Sequence, residues 1–180
     1  MGEEYLLSHC SLVLADIKPS NLFRIAHKSE AYVNELISLW NKKFNKFNLY
    51  FKLVGSSSKG CLVFVYREDR LFDFLNDGMT KNFLQSLDYD TCDLNKCLNC
   101  VFKKVFCGNF PHEIGCFLGY PLEDVEGFIK NKGKNYLCCG YWKVYQKKKQ
   151  KQKIFKNYDR TRNFYREKYM EGCDIDKLVI

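Results

Sequence analysis

Two runs rich in β-branched and aromatic residues, Leu49–Val54 and Cys61–Arg67, are separated only by Gly-Ser-Ser-Ser-Lys-Gly. So short a connection cannot carry a parallel crossover, so the pair reads as an antiparallel hairpin. Any fold for this chain has to be built around that hairpin and cover its apolar face. The material to do so lies on both sides of it. Upstream, Ser11–Ile17 (SLVLADI) reads as a first strand that ends at the turn Lys18-Pro19-Ser20-Asn21, because proline fixes its own φ and restricts the residue before it. Ser29 then stands as N-cap of a helix to about Phe44, in which Tyr32, Val33, Leu36, Ile37, Leu39 and Trp40 recur at helical spacing.

Downstream the periodicity is mostly helical. Glu68–Leu75 and Thr80–Leu87 are short amphipathic helices broken at Asn76-Asp77-Gly78. Asp93–Phe106 is a longer one, closed by Gly108-Asn109. Pro111–Leu118 reads as a short helix, and Pro121 takes the first position of another that runs to about Lys130 and stops at Gly133. Tyr136–Tyr145 reads as a late strand and is followed by a basic helix over about 149–170; Asp176–Ile180 reads as a short edge strand. Strands first, helices in the middle and a strand late make an α+β fold: a small, mainly antiparallel sheet of about four to five strands packed by helices. With 180 residues, 46% of them hydrophobic, only three prolines and no Gly/Ser/Pro-rich linker, residues 1–180 are expected to form a single compact domain.

The N-terminus MGEEYLLSHC carries acid where a secretion signal carries base, and Leu6 stands where a myristoylation motif needs Ser or Thr. No stretch approaches the roughly 20 apolar residues of a membrane span. The chain is therefore expected in the cytoplasm, without a membrane partner, and its ten cysteines are expected to be free thiols serving mostly as core filler. The net charge of +8 is carried entirely by Lys147–Lys168, where ten Lys/Arg face only Asp159 and Glu167. An argument for a nucleic-acid or acidic protein partner is thus an argument about one helix, and above all about Lys147, Lys148, Lys149, Lys151 and Lys153. That reading expects one continuous exposed basic stripe. It is disfavoured because the helix's aromatic residues fall on the face that should pack inward.

Several motifs weaken once they are placed on elements. Cys92, Cys97 and Cys100, with Cys107 beyond, superficially match an iron–sulfur spacing, but they sit in a periodic helical pattern and not on irregular loops. No metal site is expected. Cys138-Cys139 lies on a strand, so its side chains diverge. The Gly55–Gly60 loop precedes a strand where a phosphate-binding loop precedes a helix. His9-Cys10 puts an imidazole beside a thiol, which makes Cys10 a candidate nucleophile. The segment from Phe110 to Phe128 differs in kind. It gathers His112, Glu113, Tyr120, Glu123 and Asp124 among Pro111, Gly115, Gly119 and Pro121, an imidazole, carboxylates and a phenol on sharply turned backbone.

The blocks SHCSLVLADIKPSNLF and FPHEIGCFLGYPLEDVEGFIKNKGKNYLCCGYWKVY, with a final helix, resemble the domain-of-unknown-function 3793 family of small clostridial proteins over nearly the whole chain. The resemblance implies a stand-alone cytosolic protein from an anaerobic Firmicute, and it implies no activity. Its pattern runs through Lys18, Asn21, His112, Glu113, Gly115, Gly119, Tyr120, Pro121, Asp124, Gly133, Gly140, Trp142, Lys143 and Tyr145. It does not require Cys92, Cys97 or Cys100.

The leading expectation is a cleft near His112 that binds a small anionic or carbonyl-bearing molecule. Lys18, Asn21, Tyr120, Trp142 and Lys143 would be ligand contacts, and His112, Glu113 and Cys10 the candidate catalytic groups. A binding module that uses the basic helix is the first alternative, and a thiol or metal redox protein the second. No cofactor is indicated.

Overall fold

The hairpin is present and more tightly turned than the sequence suggests. In the computed structural model, which describes residues 2–106 and 110–180, strand β2 (Leu49–Ser57) runs through half of the expected loop. It pairs antiparallel with β3 (Gly60–Arg67), leaving Ser58 and Lys59 as the turn. Gly60 has a φ of 109°, and a Cβ there would lie 2.2 Å from the Ile25 carbonyl oxygen, so only glycine fits. β1 (Ser20–Ile25) pairs antiparallel with the other edge of β3, which gives the sheet order β1-β3-β2.

Two compact units are present. The first comprises 1–71 and 160–180, the second 72–159. In the first, Phe23, Ile25, Phe51, Val63 and Val65 pack into one core with Val33, Leu36, Ile37, Trp40 and Phe44 of a helix over Glu30–Phe44. Burying each such side chain contributes about 1.5–3 kcal/mol, which makes this face the main stabiliser of the unit. Ser29 caps the helix as the sequence predicts, its hydroxyl accepting from the Tyr32 N–H at 3.3 Å.

The expected first strand is a correction. Glu3–Tyr5 and Ser11–Leu14 are α-helical (α1 and α2; Glu30–Phe44 is then α3), and the intervening Leu6–Cys10 is a π-helix. Ser11 through Ala15 are all buried. A short, continuously apolar run satisfies a buried helix as well as a strand, and periodicity alone does not separate them. Pro19 thus opens a strand and does not close one. Asp176–Ile180 is a second correction: Ile175–Leu178 forms a 3-10 turn, with Ile175 in the core.

These pieces meet at Arg67, which is 7% exposed. Its Nε donates to Val13 O at 2.8 Å, and its terminal nitrogens donate to Leu14 O at 2.9 Å, to Phe47 O at 3.3 Å and to Ile180 O. The guanidinium fork thereby satisfies carbonyls at the end of α2, before β2 and at the C-terminus.

Helix α4 (Glu68–Leu75) leads into the second unit. That unit contains α5 (Gly78–Gln85), α6 (Leu94–Phe106), α7 (Ile114–Phe117), α8 (Leu122–Lys130) and a miniature hairpin of β4 (Cys138–Cys139) and β5 (Lys143–Val144). Residues 136–145 therefore form a bent hairpin where one continuous strand was expected. α9 (Lys148–Met170) starts in this unit and ends in the first, where Tyr165 is buried in the core. The proposed helix stop at Gly108-Asn109, and Cys107, lie outside the described residues. The fold is α+β, with three antiparallel strands in one sheet and two in another.

Replacing Arg67 with Met should cost about 3 kcal/mol in urea unfolding, because several buried carbonyls lose their donor while only one group is removed. Lys18 offers a pH test. It is 4% exposed and donates to Asn21 Oδ1 at 3.1 Å, and burial lowers its ammonium to about 7. The unfolded chain keeps that proton up to the ordinary lysine range, so stability rises with pH above 7. Buried Cys10, pushed up, acts in the opposite sense once thiols ionise in the unfolded chain, above about pH 8.5. Urea midpoints measured between those limits should climb in the wild type and stay flat in Lys18→Met.

Candidate functional site

Within the second unit, α7 and α8 are held together by backbone features that the sequence announces. Pro111, His112 and Glu113 form a turn whose carbonyls accept from the N–H groups of Ile114, Gly115 and Cys116. Gly119, at φ 70°, lets the chain reverse after α7, and the Tyr120 N–H closes back on Gly115 O at 2.9 Å. A Cβ on Gly115 would lie 2.8 Å from Val125 Cγ2, so the two helices approach at the glycine of α7.

Asp124, in the first turn of α8, is 2% exposed and organises everything after it. Oδ2 accepts from Trp142 Nε1 at 2.7 Å, while Oδ1 accepts from the backbone N–H groups of Tyr145 at 2.8 Å and Gln146 at 3.2 Å. Lys151, 6% exposed, stands 3.9 Å from the same carboxylate and 3.0 Å from Glu123. Burial pushes the Glu123 carboxyl up, but its own backbone N–H and Lys151 and Lys147 outweigh that and hold it below the usual range. One buried carboxylate thus bends residues 142–146 against α8, and two lysines neutralise the acidic pair.

The bend brings side chains from distant parts of the chain around one cavity of about 320 Å³. Tyr120 and Trp142 stack at 5.0 Å and 27°, forming an aromatic wall. Phe128 is a second wall, met edge-on by His112 at 5.0 Å. Ile114, Leu118 and Val125 complete an apolar lining, and Phe110 stands exposed beside it. The polar groups are His112, Lys143 and Asp124. Lys143 Nζ donates to the Gly133 carbonyl at 2.8 Å and lies between the rings of Phe128 and Tyr136, at 5.6 and 5.0 Å. Elsewhere in this unit α8 and the β4–β5 turn pack closely: a Cβ on Gly127 would lie 2.5 Å from the Tyr145 ring, and one on Gly140 2.4 Å from Phe155.

His112, Tyr120, Trp142 and Lys143 therefore share one pocket, with the imidazole exposed at its mouth and the Tyr120 phenol raised by burial. Glu113 points elsewhere. Its carboxylate accepts from Tyr89 Oη at 2.9 Å and from Lys104 Nζ at 3.3 Å. Lys18 and Asn21 belong to the first unit, where the Asn21 side-chain amide donates to His9 O at 2.8 Å. Cys10 is fully buried in that unit, and burial pushes its thiol up, which disfavours the thiolate a nucleophile needs. His9 stacks on Phe23 at 4.9 Å, and burial, aided by Arg162, lowers its pKa.

No described cysteine is in a disulfide, and among the described residues no three His, Cys, Asp or Glu side chains gather to hold a metal. On α6, Cys97 is buried and Cys100 half-buried, while Cys92 is exposed before the helix; Cys107 lies outside the described residues. The expected continuous basic stripe is a further correction. Lys151 is buried, and Lys147 pairs with Glu123 at 3.5 Å; Lys148, Lys149 and Lys153 are exposed. Among the described residues, no helix is long and apolar enough to cross a membrane.

Residues 6–179 match the family described as Protein of unknown function (DUF3793). The chain belongs to that family. No curated protein and no solved structure matches it. Several positions quoted for the resemblance to this family (Gly115, Tyr120, Asp124, Trp142 and Lys143) line the cavity, and Gly133 supplies the carbonyl that holds Lys143. Sequence reasoning underrated Asp124 as an organiser and missed Val125 and Phe128 as lining. Their one signal is helical spacing, since 124, 125 and 128 share a face of α8.

Asp124→Asn should lower the unfolding free energy by about 2–3 kcal/mol, because the amide can serve the Trp142 and backbone donors only in part and removes one of the two carboxylate charges beside Lys151. Near-ultraviolet circular dichroism of the tryptophan band is the companion measurement, and it should lose intensity in the variant.

Proposed function

We propose that the pocket of the second unit binds a small planar molecule bearing a carboxylate or carbonyl, and that His112 moves a proton on it. The observation that carries this reading is the convergence of His112, Tyr120, Trp142 and Lys143 on one apolar cavity. A mostly apolar pocket with a few placed polar groups is the usual form of a small-molecule site. Its electrostatics favour an anion over a cation. Asp124 is the acid in the lining, and its oxygens are taken up by Trp142, two backbone N–H groups and Lys151. Lys143 is bonded to a neutral carbonyl, so its positive charge is not cancelled by that partner. The proton-handling role rests with His112, because Glu113 is engaged by Tyr89 and Lys104. A cytoplasmic setting belongs to the same proposal, supported by the unpaired cysteines.

Trp142 is a built-in reporter once the other tryptophan, Trp40, is replaced. Trp40→Phe is a mild change, since the Trp40 Nε1 is buried without a hydrogen-bond partner. In that background, benzoate and phenylpyruvate should change Trp142 emission saturably. Benzyl alcohol should bind about tenfold more weakly, the value of one charge-assisted hydrogen bond. Lys143→Met should erase that difference while leaving benzyl alcohol unaffected. Unresponsive emission with all three probes, or an undiminished preference for the anions in Lys143→Met, would overturn the proposal.

A further inference from the structure

The head of α9 carries a second feature, independent of the pocket. Residues 148–158 include Lys148, Lys149, Lys151, Lys153 and Lys156 and no acid. Lys151 turns inward to Glu123 and Asp124. The other four are exposed, and no ion pair among the described residues engages them. Lys149, Lys153 and Lys156 follow one another at i, i+4 and i+7, so they share a face and span about 10 Å of helix axis.

A shallow groove of about 480 Å³ runs along that face, lined by Lys149, Gln152, Lys153, Phe155, Lys156 and Asp159. The acid in it is tied back, because Asp159 Oδ1 accepts from Tyr141 Oη at 2.8 Å. Along the face, then, three ammonium groups meet one carboxylate, at the far end of the row.

The row is costly for the helix that carries it. Like charges at i, i+3 and i, i+4 repel each other, and Lys148 and Lys149 stand in a first turn without acid, at the positive end of the helix dipole. A bound polyanion reverses both effects. Lysine recognises phosphate as a point charge, and a row of such points suits a polymer charged at every repeat, as a nucleic-acid strand is.

We infer that this face binds the phosphate backbone of a single-stranded nucleic acid. The contact is with backbone charge, so affinity depends little on base sequence and strongly on salt.

Fluorescence anisotropy of a fluorescein-labelled oligouridylate of roughly twenty nucleotides, titrated with the full chain across a salt series, tests this. With the three lysines of the face engaged, log K should fall against log salt with a slope of about −2. The triple variant Lys149→Gln, Lys153→Gln, Lys156→Gln should lose nearly all of that slope and bind at least about tenfold more weakly at low salt. The corresponding triple Lys→Arg variant should bind as the wild type does, which separates charge from any effect on folding. An unchanged anisotropy at about 50 mM salt overturns the inference, as does a triple Gln variant that binds normally. Polyglutamate of matched charge that competes as well as the oligonucleotide also overturns it, by assigning the face to an acidic protein.

Discussion

The Asp124 carboxylate is the interaction on which the second unit's architecture turns. A buried charge is tolerated only when its lone pairs are filled and a countercharge stands close by. Here Trp142, two backbone N–H groups and Lys151 meet both conditions. The consequence is geometric. The partners come from 142–151, so satisfying the carboxylate folds that stretch onto α8 and forms the pocket between them. The cavity follows from an electrostatic requirement met by a long-range hydrogen-bond set, and the apolar lining then closes around it.

How legible this was depended on the range of the interactions involved. The hairpin and the Ser29-capped helix were readable because their determinants are local: alternating apolar residues, a short polar turn, a cap three residues from its donor. Ser11–Ile17 was misread because a segment buried all round shows no period. Tyr136–Tyr145 was read as one strand because its residues favour extended backbone. It reverses at Gly140–Trp142, and Asp124, up to 22 residues earlier, holds the returning arm by claiming the Tyr145 and Gln146 N–H groups. The site shows the same divide. His112 and Tyr120 stand out by residue type among unusual backbone, Trp142 and Lys143 through the family pattern, and the four line one cavity. Glu113 stood out equally, yet its neighbours Tyr89 and Lys104 on other elements draw it into the structure.

The lysines of α9 separate by their partners. Lys151 and Lys147 neutralise the acidic pair at the start of α8, whereas the exposed set faces outward along the groove. Net charge summed over the helix hides this division of labour. Counting charge along a sequence therefore overstates what a surface presents, because the residues that hold the fold together are drawn from the same run.

The glycine in the pocket lining has an effect of its own. At Gly115 the side chains of Val125 and Tyr120 rest directly on main chain. Side chains can swing aside to admit a bulkier guest, but helix backbone cannot yield in that way. The cavity should therefore sort molecules by thickness on that side, as a slot of fixed width does. Widening it there would mean moving the helix itself, because its wall carries no side chain to be trimmed.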